Sequence, residues 1–189
     1  MATRFLPAAA RSLVGATLVA SLLPAAAFAQ AASDAAAVVI FTSRIEEYAR
    51  LRARLEEPLP VIDERRGSRP AMLTRRYLAA AIRAARPRAV LGAIFAPPVD
   101  RLFRDRLASR VTEADVEGLS GWDEDLGVDI VVHEPVPAWS RLELPAILRE
   151  PLPALPSGID YRMVNGALVL WDLHAEIVID ALPEAFLGR

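Results

Sequence analysis

The sequence predicts an α+β fold, three helices followed by a small antiparallel sheet, and three observations predict it. Between about residues 34 and 111, apolar side chains recur at three- and four-residue intervals, the period of a helix with one buried face. Near the C-terminus Asn165-Gly166 stands between two apolar runs, the pattern of a two-residue hairpin whose turn residues both adopt φ > 0. The 189 residues include no cysteine and are 53% hydrophobic, so packing and not a disulfide framework has to hold the fold.

The first helix is predicted from about 34 to 57. Ser33-Asp34 is a good start, and Ser43 with Glu46 repeats the capping-box spacing. Ile45, Tyr48, Leu51 and Leu55 form its apolar stripe, Arg44, Arg50, Arg52 and Arg54 lie mostly off it, and Pro58 and Pro60 end it. Ser68 caps a second helix with Pro70 in its first turn, where a missing N–H does no harm. Its apolar side is expected to be Leu73, Tyr77 or Leu78, Ala81, Ile82 and Ala85, and Pro87 closes it. A turn over Gly92–Pro97 buries Ile94 and Phe95. Pro98 then opens a third helix, with Val99, Leu102, Phe103 and Leu107 on one face, that runs to about Val111. A short acidic helix or loop follows.

In the second half the period changes. Val128–Val132 reads as a short strand that Pro135 and Pro137 leave in extended form, and Leu144–Arg149 allows a helical turn or two. Tyr161–Val164 and Ala167–Leu170 flank the Asn-Gly turn, and Ile177–Asp180 is a further strand reached through a turn near Leu173-His174-Ala175. A lone meander of this size is too small to stand by itself, so the helices should cover one of its faces in a single domain over residues 30–189.

The first 29 residues read as an address. Arg4 and Arg11 give a positive start, Ser12–Leu23 is apolar, Pro24 breaks the run, and Ala27-Phe28-Ala29 supplies the small residues that a signal peptidase reads. A Sec-type signal peptide over 1–29, cleaved after Ala29, predicts a periplasmic or secreted protein. The apolar run is shorter than the roughly 20 residues that cross a bilayer, so no integral span is expected after cleavage.

All 22 positive charges are arginine, a pattern that with abundant alanine and 15 prolines is what a GC-rich genome produces. They are unevenly placed. Ser43–Arg110 holds 16 Arg against 8 Asp and Glu, whereas Val111–Arg189 holds 4 against 15. The expectation is that the two halves attract and pack on each other. Export argues against nucleic acid as a partner. Arg50, Arg54, Arg75, Arg76 and Arg83 would suit an anionic envelope polymer, or would simply be a solvated helix face.

Few residues could carry chemistry. Asp172, His174 and Glu176 alternate, so a fully extended strand would place a carboxylate–imidazole–carboxylate set on one face, fit for a metal ion or a general base. The hairpin spacing instead puts them on a turn. His133-Glu134 at a strand end is the second histidine position. Asp123-Glu124-Asp125 lacks the alternating ligands of a calcium loop. Ser120, Ser140 and Ser157 have no spacing that suggests a catalytic triad, and Trp122, Trp139 and Trp171 are scattered, with Trp171 expected to pack in the sheet. No catalytic, cofactor or metal site is assigned from these residues.

Phe41–Leu55, Ile94-Phe95 with Val99, and the ending from Leu155-Pro156 through Tyr161-Arg162 and Leu168-Val169-Leu170 to Ile177–Asp180 together resemble a group of exported bacterial proteins with no assigned activity. The terminal hairpin alone is similar to that of the periplasmic nickel/cobalt-homeostasis family, but the first half is not, and no metal ligand carries over. The functional expectation is a non-enzymatic envelope protein that binds another protein or a small ligand, without a cofactor. The alternatives are a metal-dependent or other hydrolase built on His133, His174 and nearby carboxylates, and a peripheral binder of anionic polymers.

Overall fold

Alanine is the strongest helix former, and the alanine-rich stretch before residue 38 carries the first helix well upstream of its expected start. A computed structural model describes residues 22–60, 68–111 and 127–186, and in it α1 spans Leu22–Glu56 without a break. Ser33-Asp34 and Ser43 therefore lie inside the helix and not at a cap, because their backbone N–H groups already have carbonyl partners one turn back. The body of the protein begins at Ala37. Residues 27–32 are all exposed, Phe28 at 77%, whereas Phe41, Ile45 and Tyr48 are buried.

Helix α2, Ser68–Ala85, has the expected length but turns a different face inward. Ala71, Thr74, Leu78 and Ile82 are buried, while Leu73 and Tyr77 are exposed. Leu78 is one helical turn from Thr74 and from Ile82, so these three share one row of the helix, which leaves Leu73 and Tyr77 on the far side. Helix α3, Val99–Ala108, buries Val99, Leu102, Phe103 and Leu107 as their spacing predicts, and the preceding turn buries Ile94 and Phe95. Phe103 sits at the centre of this layer, its ring centroid 4.8 Å from Phe41, 5.1 Å from Phe95 and 6.1 Å from Tyr161 of the sheet.

The sheet has four antiparallel strands in chain order: β1 (Leu142–Glu143), β2 (Ile159–Val164), β3 (Ala167–Asp172) and β4 (Ile177–Leu182). The Asn165-Gly166 hairpin pairs Val164 with Ala167, with φ of 48° and 69° at its two turn residues. Between β3 and β4 the register shifts at Leu170/Trp171, which makes Ile179 an extra residue in β4. Ile159, Tyr161, Met163, Leu168, Leu170, Ile177, Ile179 and Leu182 join the helical core.

The opposite face of the sheet is also covered. Val164, Ala167, Val169, Trp171, Val178 and Ala181 form a second, smaller cluster with Val136, and Val128 and Ile130 pack on it. Here the expectation of a strand over Val128–Val132 is corrected. The segment runs as a strap across this face and bonds to β4 at two places, from the His133 N–H to the Val178 carbonyl (2.8 Å) and from the Val178 N–H to the Glu134 carbonyl (3.0 Å). Pro135 and Pro137 have no N–H to extend the pairing. The fourth strand is instead β1, on the other edge of the sheet, followed by α4 (Ala146–Arg149).

The basic and acidic halves do meet. Arg75–Glu176 (3.6 Å), Arg83–Glu134 (2.9 Å) and Arg110–Glu150 (3.7 Å) each join one half to the other. Arg106 donates to the Pro151 carbonyl, and Arg104 to the carbonyls of Pro183 and Glu184.

Two stability measurements test this layout. A chain beginning at Gln30 is expected to melt within about 2 °C of the full chain, because none of the described side chains from 27 to 36 is buried. Phe103→Ala should cost about 3–5 kcal/mol in denaturant unfolding, as it empties the centre of the helical layer.

Candidate functional site

Strand β3 ends in a carboxylate with no access to water. Leu168, Leu170 and Asp172 lie on the helix-facing side, so Asp172 points at α1 and is fully buried. Burial of a charge demands donors or an opposite charge, and two helix residues supply one of each. Tyr48 donates its hydroxyl to Oδ2 at 2.6 Å, and Nη1 of Arg52, one turn further along α1, stands 3.8 Å from Oδ1. Oδ1 also accepts the backbone N–H groups of His174 (2.8 Å) and Ala175 (2.9 Å). Burial, and then the negative charge of Asp172, hold the Tyr48 phenol far above its usual range, so it remains a donor.

Arg52 does more than meet Asp172. Its Nη1 donates to the Gly158 carbonyl at 2.8 Å and its Nη2 to the Ser157 carbonyl at 2.6 Å, which pins the start of β2 to α1. Gly158 has φ of 76°, and a Cβ there would stand 2.7 Å from Arg52 Nη1 and 2.8 Å from His174 Nε2. Only glycine fits that contact.

The three alternating residues are not brought together. The strand stops at Asp172, and 173–176 form the turn that the hairpin spacing suggested. His174 is half-exposed and donates Nδ1–H to Glu56 Oε1 at 2.7 Å, at the last residue of α1. Glu176, with φ of 55°, lies outside and faces Arg75.

His133 builds a second polar centre, between the end of α2 and the edge of β4. It is 4% exposed, with φ of 67°. Its carbonyl accepts Arg83 Nη2 at 2.9 Å, and its Nε2 is 3.2 Å from Arg86 Nη1. An arginine can only donate, so Nε2 accepts and the ring is neutral, with its proton on Nδ1. Burial, then the charges of Arg86 and Arg83, push the imidazole down to about 4. Arg86 also lies over the Tyr48 ring, 5.1 Å from its centroid.

A polar chain thus runs His133–Arg86–Tyr48–Asp172–Arg52, and the two histidines are separated by it. Among the described residues no three His, Asp or Glu side chains converge as metal ligands would. The chain joins helix layer to sheet, and its Tyr48–Asp172 pair is buried away from the surface. Asp180 of β4 is a further buried carboxylate. It accepts the N–H groups of Gly92 (2.5 Å), Ile94 (2.6 Å), Phe95 (2.9 Å) and Ala181 (2.9 Å); burial pushes it above the usual carboxylate range while these donors pull it back.

The other sequence candidates find ordinary roles. Ser140 donates to the Pro137 carbonyl. Trp171 is buried, with Arg141 4.3 Å over its ring, and Trp139 is exposed. Ser120, Trp122 and Asp123-Glu124-Asp125 lie outside the described residues. Sequence reasoning missed Tyr48, Arg52, Arg86 and Asp180 as polar partners. The signal was Asp172 itself: a lone carboxylate that closes a five-residue apolar run has to be met from another element.

Unfolding experiments separate the links of this chain. Tyr48→Phe leaves Asp172 one donor short and should cost about 1–3 kcal/mol. Asp172→Ala, which strands the buried Arg52, should cost about 3–5 kcal/mol. The fold accepts neutral His133, whereas the unfolded chain titrates near 6.5 and there binds more protons. Stability is therefore whole above about pH 6.5 and falls, by the order of 2–3 kcal/mol, as pH drops from 6.5 toward 4. His133→Asn, which tolerates φ > 0, should flatten that part of the pH–stability curve.

Compared with known proteins, the chain matches no family model, no curated protein and no solved structure, which leaves the contacts of its own residues as the ground for a functional reading.

Proposed function

We propose that this chain is an exported envelope protein that acts by binding and not by catalysis. One observation carries the reading: the side chains best equipped for chemistry hold elements together, while the outward side of α2 is left apolar and basic. Asp172 has its donors from Tyr48 and two backbone N–H groups, with the Arg52 charge 3.8 Å away. His133 has its Nε2 against Arg86, and His174 is tied to Glu56. On α2, by contrast, Met72, Leu73 and Tyr77 are 48%, 42% and 65% exposed. The export half of the proposal rests on the charged start, apolar run and small-residue site of residues 1–29. No helix of the described residues is long and apolar enough to cross a membrane.

The anionic-partner reading gains a specific observation. Of its five arginines, Arg50, Arg75 and Arg83 face Glu46, Glu176 and Glu134, while Arg54 and Arg76 are exposed with no ion pair among the described residues.

The test is native mass spectrometry of protein recovered from the periplasm of Gram-negative cells that express the whole chain. The expected mass is that of residues 30–189. An uncleaved chain confined to the cytoplasm would overturn the export half. A stoichiometric bound metal that His174→Ala or His133→Asn removes would overturn the non-catalytic half.

A further inference from the structure

The outward face of α2 carries two rows of side chains. Leu73, Tyr77, Ala80 and Ala84, at i, i+4, i+7 and i+11, make an exposed apolar stripe. Arg69, Arg76 and Arg83, spaced by seven, run beside it. Arg83 shares its charge with Glu134, whereas Arg69 and Arg76 have no ion pair among the described residues. Along the chain the segment is one-signed: from Arg65 to Val99 it has eight arginines and no aspartate or glutamate, the facing acids being Glu176 at Arg75 and Glu134 at Arg83. Leu73 was expected in the core from its spacing, and its exposure is what turns the stripe outward.

We propose that this face of α2 docks on the surface of an anionic phospholipid bilayer, an inference that rests on the binding-protein reading above and names its partner. The face is a ridge and not a groove, so it suits a flat, deformable surface better than a peptide that needs a slot. A bilayer offers the two things that the ridge offers to meet: an apolar layer for Leu73, Met72 and the Tyr77 ring, and a dense array of phosphates above it. Arginine fits phosphate through its planar fork, and its stem lies along apolar surface while the head stays at the headgroups. Tyrosine likewise has an apolar ring and a polar tip suited to the interface. An acidic protein partner would have to match both rows in register; a lipid surface matches them in any register.

The experiment is vesicle flotation with the protein as the producing cell processes it, its mass measured first. Vesicles of phosphatidylglycerol and phosphatidylcholine, about 3:7, are compared with pure phosphatidylcholine. Binding is expected to the anionic vesicles alone at about 0.1 M salt and to be lost near 0.5 M, where the screening length is about 4 Å. Each arginine near the surface is worth about fivefold, so Arg69→Gln with Arg76→Gln should lower partitioning about 25-fold. Leu73→Ser with Tyr77→Ser should also lower it, with the melting temperature of both variants unchanged, since all four side chains are exposed. Three results overturn the proposal. One is no flotation, or flotation that both double variants leave intact. A second is equal binding to neutral vesicles, the mark of a retained apolar segment. The third is binding to soluble heparin or polyglutamate as tight as to vesicles and indifferent to Leu73→Ser/Tyr77→Ser, the mark of a polyanion or acidic protein site. Binding to vesicles by a chain that cells do not export would sink the export reading and leave the α2 face standing.

Discussion

A buried carboxylate that cannot reach water has to be met by donors, and in this protein Asp172 sets that condition for several elements at once. Tyr48 and Arg52 meet it from α1, which fixes the helix against the sheet both along and around its axis. The backbone N–H groups of His174 and Ala175 meet it from the turn, which fixes where β3 ends and how the chain reverses into β4. Arg52 then carries the constraint to residues 157 and 158, where β2 begins. Helix, turn and two strands are located by one charge. Such a group adds less to net stability than to uniqueness, because a charged side chain in the interior is far worse anywhere other than beside its partners.

The same logic explains why an all-arginine chain makes structural sense here. Arg52 bridges the adjacent carbonyls of Ser157 and Gly158, and Arg104 those of Pro183 and Glu184. The two nitrogens of a guanidinium end are held in one plane at a spacing that serves two acceptors together. A lysine ammonium would satisfy one of them and leave the other to solvent. Helix arginines here act as long-range clamps on loops, a use that base composition alone does not anticipate.

What could be read from sequence followed from period and from local rules. The Val99, Leu102, Phe103, Leu107 face of α3 and the Asn165-Gly166 hairpin are set by neighbours within a few residues, and both appear where their spacing puts them. The failures lie where distant residues decide. Ser33-Asp34 is a good cap in isolation, but a cap forms only where the preceding residues leave the helix, and the alanines before it do not. Arg52 looked like a solvent-facing residue because its partner, Asp172, is 120 positions away in sequence. Val128–Val132 has strand composition, yet the chain meets the β4 edge only at His133 and Glu134, and the prolines that follow stop the pairing there. Of the candidate chemistry, the turn placement of His174 and Glu176 was legible, but the fate of Asp172 depended on an element that pattern alone could not bring to it.

The strap over the second face of the sheet gives the domain two sides of unequal endurance. On one side Phe103 of α3 packs against Phe41 of α1, Phe95 and Tyr161, while α2 packs on α1. On the other, an irregular segment with two ladder bonds, helped by Asn165 reaching the Val128 carbonyl (2.8 Å), is what keeps water from Val169, Trp171 and Val178. Local opening follows the weaker set of contacts. Amide protons of the strap and of the β4 edge therefore exchange through a lifting of that segment, at a free energy well below that of global unfolding. The contacts around Phe103 are the stronger set, so the core opens first from the strap side.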